Sequence, residues 1–479
     1  MARRNSPSFP IVLANRLVPF FAVAAILALV AGCARFYPRP LSAENTATWF
    51  DERSLNSADL KAFMEKHLAK DANPWQAGSW NFEELCLAAF YYQPDLKVAR
   101  TAWLSAQDAE ETAAQRPNPV LNVTPGYNVT TMMASPWIPL GSLDVPIETA
   151  GKRRHRRVQA ARMAEAARLN FIATAWDVRS LVRSGLLEML ATEKRAKLLD
   201  RQLRLQEELV GRLEQQSAAG ALAPAETIPA RVAEARLNVD IADARRLMAD
   251  ARARLAASIG IPVQALKSIK IAENPFPIAP VAALTSAAAR RAALTGRADI
   301  LAALAEYAAS EEGLRLEIAK QYPDVHLAPG YEFDQGDSKW SLGITVELPV
   351  LNQNQGPIAE ARGRRAQAAA KFGALQAKII GQVDQAVEAV RISQTHAAAL
   401  EALAKAQTMA TQSLEAQASA GETDQAAVLA AQVELAAAEL ARLDEQTKFD
   451  QAIGALEDAI QRPVDSIPAI FQASNAHEP

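Results

Sequence analysis

Two segments about two hundred residues apart alternate apolar with polar or small side chains. Residues 120–130 read VLNVTPGYNVT, and residues 325–334 read VHLAPGYEFD. Successive side chains of a strand point to opposite faces, so each segment predicts a strand with one apolar and one polar face. Pro125 and Pro329 begin the shared Pro-Gly-Tyr, and this common register predicts an internal duplication.

Each alternating segment is followed by a partner strand and then by two helices. The partner strands are predicted at about 140–148 and 339–349; in the second, Trp340, Leu342 and Ile344 share one face. Long helices follow at about 151–217 and 357–419, and shorter helices return at about 225–259 and 423–460, after turns at Gly220 and Gly421. A further helix is expected at about 284–320, before the second hairpin. The longest helix would measure roughly 100 Å, so the helices are expected to assemble side by side, as in a coiled coil.

The amino terminus has the pattern of a signal peptide. An apolar run of about fifteen residues, 17–31, follows three arginines and is short for a membrane span. It ends in Leu29-Val30-Ala31-Gly32-Cys33, which resembles the bacterial lipobox. This resemblance implies that Cys33 carries acyl chains such as palmitate, and that Ala34 permits sorting to the outer membrane. An ordinary signal peptide with an accidental cysteine is the alternative.

These patterns divide the chain into six parts. They are a lipoprotein signal peptide at 1–32, an arm at 33–80, a first structural repeat at 81–262, a connector at 263–283, a second repeat at 284–463 and a tail at 464–479. Apolar residues make up 50% and aromatic residues 6% of the 479 residues, a balance that favours closely packed helices.

The predicted strands have the length that a tilted strand needs to cross a bilayer. Four strands cannot close a barrel, and an open sheet edge in lipid would leave its amides unsatisfied. Strands in the membrane therefore require several chains in one barrel. A water-facing sheet packed on the helices is the alternative.

This organisation resembles the TolC family of outer-membrane efflux channels over essentially the whole mature chain. The most similar pieces are Gln93-Pro94-Asp95-Leu96, Pro117-Asn118-Pro119, the stretch from Pro146 to Arg153, and the two glycine turns. Gly151-Lys152-Arg153 is similar to the heavy-metal-efflux branch. The resemblance implies a mainly α chain with a small transmembrane β part. Two tandem repeats of β-hairpin plus helical hairpin would form a trimeric twelve-stranded β-barrel, continued by an α-helical periplasmic tunnel.

The implied function is a passive exit duct in a tripartite efflux system. The implied partners are two further copies of the chain, a periplasmic adaptor, an inner-membrane pump of the RND type and outer-membrane lipid. Two alternatives stay open, namely the duct of a type I protein secretion system and a lipid-anchored periplasmic scaffold without a pore. The cargo, whether metal cation, drug, solvent or protein, is not determined by the sequence.

Three groups of residues are the candidate sites. On the barrel model the lumen-facing candidates are Asp144, Glu148, His326, Glu332, Asp334 and Glu347, although a simply solvated face fits them equally. A basic cluster is expected just below the barrel and comprises Lys152, Arg153, Arg154, Arg156 and Arg157. It could meet lipid headgroups, line the tunnel or pair with acids of another chain. Gly220 and Gly421 mark the tip turns, where the resemblance places the adaptor contact and the exit gate.

The sequence gives no indication of an enzyme, a cofactor or a metal site. Five histidines and two cysteines show no ligand spacing, and no nucleophile elbow or phosphate-binding glycine loop is present. A net charge of −3, without aromatic residues interleaved in the basic cluster, argues against nucleic-acid binding.

Overall fold

The computed structural model describes residues 35–67, 74–129, 136–272, 275–276, 286–334 and 336–462. The signal peptide with Cys33, residues 273–274 and 277–283 of the connector, and the tail lie outside these described residues. The chain divides into two units, 1–52 and 53–479. In the first unit, helix α1 (Ala43–Asp51) begins after Ser42, whose side chain accepts a hydrogen bond from the amide of Asn45, and none of its residues is buried.

The second unit contains the remaining helices and one sheet. Its first half consists of α2 (Ala58–His67), α3 (Pro74–Ala77), α4 (Phe82–Tyr92), α5 (Pro94–Ala114), β1 (Val120–Tyr127), β2 (Trp137–Ile147), α6 (Lys152–Ala218), a 3₁₀ turn (Pro224–Thr227), α7 (Ile228–Ile259) and α8 (Val263–Lys267). Its second half consists of α9 (Ser286–Gly296), α10 (Ala298–Ala319), β3 (Val325–Asp334), β4 (Asp337–Val346), α11 (Gln355–Ser419) and α12 (Gln425–Ile460). The prediction of a mainly helical chain with a small sheet is confirmed.

Local sequence accounts for the starts of α4 and α5. Asn81 and Glu84 form a reciprocal capping box at the start of α4. Gln93 is extended before Pro94, which occupies the first turn of α5, where its missing N–H costs nothing. The two helices are thus separated by a proline that the sequence shows directly.

The helix expected at about 284–320 is instead two helices, α9 and α10, separated at Arg297. Arg297 has an extended backbone, although no proline stands there. Its guanidinium donates to the carbonyl oxygens of Asp458 and Ala459 at the end of α12, at 3.1 and 2.8 Å. The side-chain oxygen of Gln461 accepts from the amide of Ala298 at 2.8 Å. Contacts with a segment more than 160 residues away therefore stabilise the break.

Helix α6 is the centre of the packing, since it contacts α5, α7, α10 and α12. One core cluster joins α2, α4, α6 and α7 through fully buried side chains such as Leu60, Leu85, Leu186 and Leu255. A second core, formed by α9, α11 and α12, is rich in alanine around Ile379 and Val383. Small side chains let these helices approach closely, as the low aromatic content predicts.

The four strands form one antiparallel sheet in the order β1-β2-β3-β4. Strands β1 and β4 are the outer strands, and in the part of the chain that the structure describes each has one neighbouring strand. Among the described residues, no helix combines the length and the apolar character that crossing a membrane requires.

Candidate functional site

The register of the sheet separates its side chains into two chemically different faces. Leu121 pairs with Leu143, Val145 with Leu327, and Leu327 with Ile344, so apolar residues meet apolar residues across all four strands. Most of their neighbours on the other face are polar, charged or small; the exceptions are Val120, Ile138, Leu140 and Pro146. Pairing therefore extends the alternation of single strands into one apolar and one polar face of the whole sheet.

The apolar face is open to its surroundings. Trp340 is 81% exposed, and the side chains of Val123 and Ile344 are also largely exposed. Aromatic pairs, Tyr127 with Trp137 and Tyr331 with Trp340, lie at the far end of both hairpins. An apolar surface of this kind, spread over four strands, is typical of a site that contacts another protein or a membrane.

The polar face carries four of the six predicted lumen-facing residues. His326 Nδ1 lies 3.0 Å from Asp144 Oδ1, which joins β3 to β2. Lys339 Nζ donates to Asp334 at 2.7 Å, and Lys339 is also the cross-strand partner of Glu332. The structure thus brings Asp144, His326, Glu332 and Asp334 to one face of the sheet.

The other two predicted residues, Glu148 and Glu347, follow the ends of β2 and β4. Glu148 accepts two hydrogen bonds from Arg156, at 2.7 and 3.2 Å, and is therefore tied to the basic cluster. Glu347 follows β4 directly and is exposed.

The first residue of the basic cluster, Lys152, binds the base of the second hairpin. Its Nζ donates to Asp324 Oδ1 at 2.7 Å and to the carbonyl oxygen of Tyr322 at 2.6 Å. The amide of Thr149 also donates to Asp324. Burial would raise the pKa of Asp324, but the bonds from Lys152 and Thr149 outweigh it and hold this pKa below its ordinary value.

Two arginines of the cluster cap the end of α5. Arg153 Nε donates to the carbonyl oxygen of Ala114 at 2.6 Å, and Arg156 donates to those of Ala113 and Gln115. The last carbonyls of a helix have no partner within it and carry partial negative charge, which a guanidinium satisfies. Arg153 and Arg156 therefore fix α5 to α6 below the sheet.

His155 and the remaining two arginines face different surroundings. His155 Nδ1 lies 2.8 Å from Glu312 of α10. Burial would raise the pKa of Glu312, yet its bonds to His155 and Arg315 lower it. Arg154 and Arg157 lie one turn apart on α6 and are exposed.

The tip turns have the same geometry in both halves. Gly220 and Gly421 each have φ of 75°, the left-handed region that favours glycine. After each turn a backbone amide closes the helix end, from Ala221 to the carbonyl of Gln216 and from Glu422 to that of Gln417, both at 2.9 Å. The side chain of Gln216 also donates to Asp424, which connects the two tips.

One polar network was not expected from the sequence. Arg183 Nη1 and Arg179 Nη1 both donate to Glu457 Oε2, at 2.7 and 3.2 Å, and the three side chains are nearly buried. Ser180 donates to Asp458 in the same layer. In the sequence, the network could be suspected only from two arginines one turn apart among the apolar residues of α6. Their acidic partners could not be identified, because they lie more than 270 positions away.

The described residues contain no group of three or more histidine, cysteine, aspartate or glutamate side chains that could hold a metal ion. Cys86 is a free thiol in the core, and burial raises its pKa to about 12. Neither observation indicates a redox or metal centre in this part of the chain.

Comparison with known proteins finds a family match in the second half of the chain. Residues 289–460, which include α10, both strands of the second hairpin, α11 and α12, match the family model described as outer membrane efflux protein. The match spans 172 of the 479 residues, and over this part the chain is similar to outer membrane efflux proteins.

Among sequence relatives, the chain is 24% identical over 221 residues to the cobalt-zinc-cadmium resistance protein CzcC of Cupriavidus metallidurans. That match covers 46% of this chain and 52% of CzcC, so the chain spans about half the length of this curated relative.

Solved structures of outer-membrane proteins share the fold. The outer membrane protein VceC of Vibrio cholerae superposes with a TM-score of 0.66 at 19% identity, over 80% of this chain and 97% of VceC. The CmeC outer membrane channel of Campylobacter jejuni gives 0.65 at 13% identity, over 92% and 96% of the two chains. At these identities the likeness concerns the fold.

Proposed function

We propose that this chain is the exit duct of a tripartite efflux system, with three copies closing one twelve-stranded barrel in the outer membrane. The observation that carries the proposal is the sheet: it has one exposed apolar face, and its outer strands β1 and β4 each have one edge without a partner strand among the described residues. In lipid every backbone amide needs a partner, so such a sheet is stable only when its edges are paired.

Closure by three copies follows from strand number and symmetry. Four strands are too few for a barrel, and the smallest bacterial barrels have eight. Strand β4 of one copy would pair with β1 of the next, and cyclic symmetry would close the ring without a free edge. The apolar face, including Val123 and Ile344, would meet lipid, and the polar face would surround the lumen.

Below the barrel, the helices would form a tunnel through the periplasm. The tip turns at Gly220 and Gly421 would meet a periplasmic adaptor and form the exit gate, and an inner-membrane pump of the RND type would supply the energy. Glu148 and Glu347 would lie at the lower rim of the lumen.

The membrane attachment would combine the barrel with an acyl anchor on Cys33. The exposed pair Arg154 and Arg157 lies just below β2 and would reach anionic headgroups of the inner leaflet, where each basic residue contributes about 1 kcal/mol. Lys152, Arg153 and Arg156 would act within the chain, through the hydrogen bonds described above.

The cargo class that we propose is divalent metal cations. The support is the name of the relative CzcC, a cobalt-zinc-cadmium resistance protein, together with the carboxylates on the polar face of the sheet. A surface with excess negative charge raises the local concentration of cations.

Single-channel conductance of the purified protein in a planar bilayer tests the pore. Discrete openings with cation preference are the expected result. Openings without preference would keep the duct and remove the support for metal cargo. Because a closed gate would silence a true channel, the measurement is repeated with Gly220 and Gly421 replaced; silence of well-folded trimers there would favour a scaffold without a pore.

A further inference from the structure

Histidine and aspartate lie side by side on the polar face of the sheet. His326 Nδ1 is 3.0 Å from Asp144 Oδ1 and 3.1 Å from Asp144 Oδ2. Their side chains are 40% and 31% exposed, so water and ions reach the pair. A histidine in this position can change the charge that a passing ion meets.

Asp144 is the charged group that faces His326 among the described strands. On β4, the residue opposite His326 is the uncharged Thr345, and on β2 the directly paired residue is Pro146. Below the pair, Asp324 and Glu148 are bonded to Lys152 and Arg156 respectively, and Glu347 follows β4 two residues beyond Thr345. Within the strands, Asp144 is therefore the acid bonded to His326.

The remaining charges of the polar face lie toward the far end of the sheet. There Asp334, Asp337 and Glu332 surround Lys339. Together with Asp144, the strands carry four carboxylates and one ammonium on this face, a net charge of −3 when His326 is neutral and −2 when it is protonated. At the level of Asp144 the change is from one negative charge to none.

We propose that His326 and Asp144 form a pH-dependent charge filter that determines ion selectivity in the lumen of the duct. The inference rests on the proposed function, because it needs the polar face to surround the pore. Histidine is the side chain that gains its charge between about pH 5 and 8. With a neutral imidazole the pair carries the carboxylate charge and attracts cations; an imidazolium cancels that charge, and the preference for cations falls.

The test measures the electrostatic potential beside His326 with a chemical probe. Thr345→Cys places a thiol on the strand position opposite His326, while the native Cys86 is 5% exposed and buried in the core. The purified trimer reacts with a cationic and with an anionic methanethiosulfonate at about pH 5.5 and pH 8. Both reagents react with the same thiolate, so the ionised fraction of the thiol cancels in the ratio of the two rates. The ratio therefore reports the local electrostatic potential.

The expected ratio of cationic to anionic rates falls roughly three-fold from pH 8 to pH 5.5, as a unit charge about 6 Å away predicts in screened water. In Thr345→Cys with His326→Gln the ratio should be the same at both pH values. With Asp144→Asn the ratio should be lower at pH 8 than in the Thr345→Cys parent. A ratio that is independent of pH in the parent, with Thr345→Cys fully reactive, would overturn the filter and leave the duct intact.

Ile344→Cys is the control for the face itself. Ile344 is the neighbour of Thr345 in β4 and belongs to the apolar face. Its thiol should react slowly with both charged reagents in a membrane-embedded trimer. Equal reactivity at positions 344 and 345 would refute the assignment of the faces, and with it both the duct and the filter.

Discussion

Lys152 Nζ lies 2.7 Å from Asp324 Oδ1, across the boundary between the two halves of the chain. Lys152 begins α6, directly after the first hairpin, and Asp324 directly precedes β3 of the second hairpin. The pair therefore ties the two hairpins together where the sheet meets the helices. The Lys152 side chain is 10% exposed and that of Asp324 34%, so water replaces the bond only in part if one partner is removed.

Lys152→Met should destabilise the protein by about 1–3 kcal/mol, because it leaves a half-buried carboxylate and the Tyr322 carbonyl without their donor. Arg154→Met is the matched control, since Arg154 is an exposed residue two positions away in α6, and it should change stability by about 0.5 kcal/mol or less. Chemical denaturation of the detergent-solubilised protein measures both. Because the pKa of Asp324 is lowered in the folded protein, its contribution should be present above about pH 4 and be lost as the pH falls through the folded-state pKa. Equal losses in the two variants would contradict the assigned role.

Asp458→Asn should stabilise the protein at neutral pH, since burial raises the pKa of Asp458 and disfavours its charged form. A raised carboxyl pKa means that the folded state binds the proton more tightly than the unfolded state. The destabilisation by Asp458 is therefore present at pH values above its folded-state pKa and disappears as the pH falls to the unfolded value near 4. Thermal melts of the wild type and the variant from about pH 4 to 8 should converge at the acidic end. A difference that widens toward low pH would exclude this explanation.

Arginine substitutions should distinguish the two faces of the sheet. Val123→Arg or Ile344→Arg should cost roughly 2–4 kcal/mol at mid-bilayer and impair trimer assembly, because these residues would face lipid. Asn122→Arg and Thr345→Arg are the matched controls on the polar face and should assemble normally. Heat-modifiable migration of outer-membrane extracts reports assembly, and equal tolerance of all four variants would be incompatible with the proposed barrel.

Cys33→Ser should abolish acylation, since the thiol of Cys33 is the proposed attachment point. Metabolic labelling with a fatty-acid analogue measures it. Cys86→Ser is the control, because Cys86 is buried and should not affect the label. Labelling that survives Cys33→Ser would show that the lipobox interpretation is wrong.

Gly421→Val should distort the tip turn, because a side chain at φ of 75° is strained by about 1–2 kcal/mol, more for a β-branched residue. Apart from the glycine itself and its two chain neighbours, no heavy atom of the described residues lies within 4 Å of the position where a Cβ would be placed, so the effect comes from the backbone rather than from a clash. We expect weaker crosslinking to the adaptor. Gly211→Ala, within α6 and equally open, should leave crosslinking unchanged and stabilise the helix by about 1 kcal/mol. Unchanged crosslinking of Gly421→Val would count against the tip assignment.

The sequence by itself determined the elements and the chemical character of their faces. Alternation along each strand is a local property, so the apolar and polar residues around Tyr127 and Tyr331 were predictable from side-chain order alone. The same holds for the proline break at Pro94 and the glycine turns at Gly220 and Gly421. Proline restricts the backbone conformations available at its position, and glycine widens them, wherever either residue stands. The mainly helical fold class followed from these elements.

Only the tertiary structure decided which residues meet. The break at Arg297 depends on carbonyls at the end of α12, and the buried pair of Arg183 and Glu457 joins residues 274 positions apart. Likewise, the pairing of His326 with Asp144 requires the strand order β2-β3, which places the two hairpins side by side. Hydrogen bonds and ion pairs act over about 3–4 Å in space. Sequence periodicity predicts the face on which a side chain lies, but the packing of distant segments decides its partner.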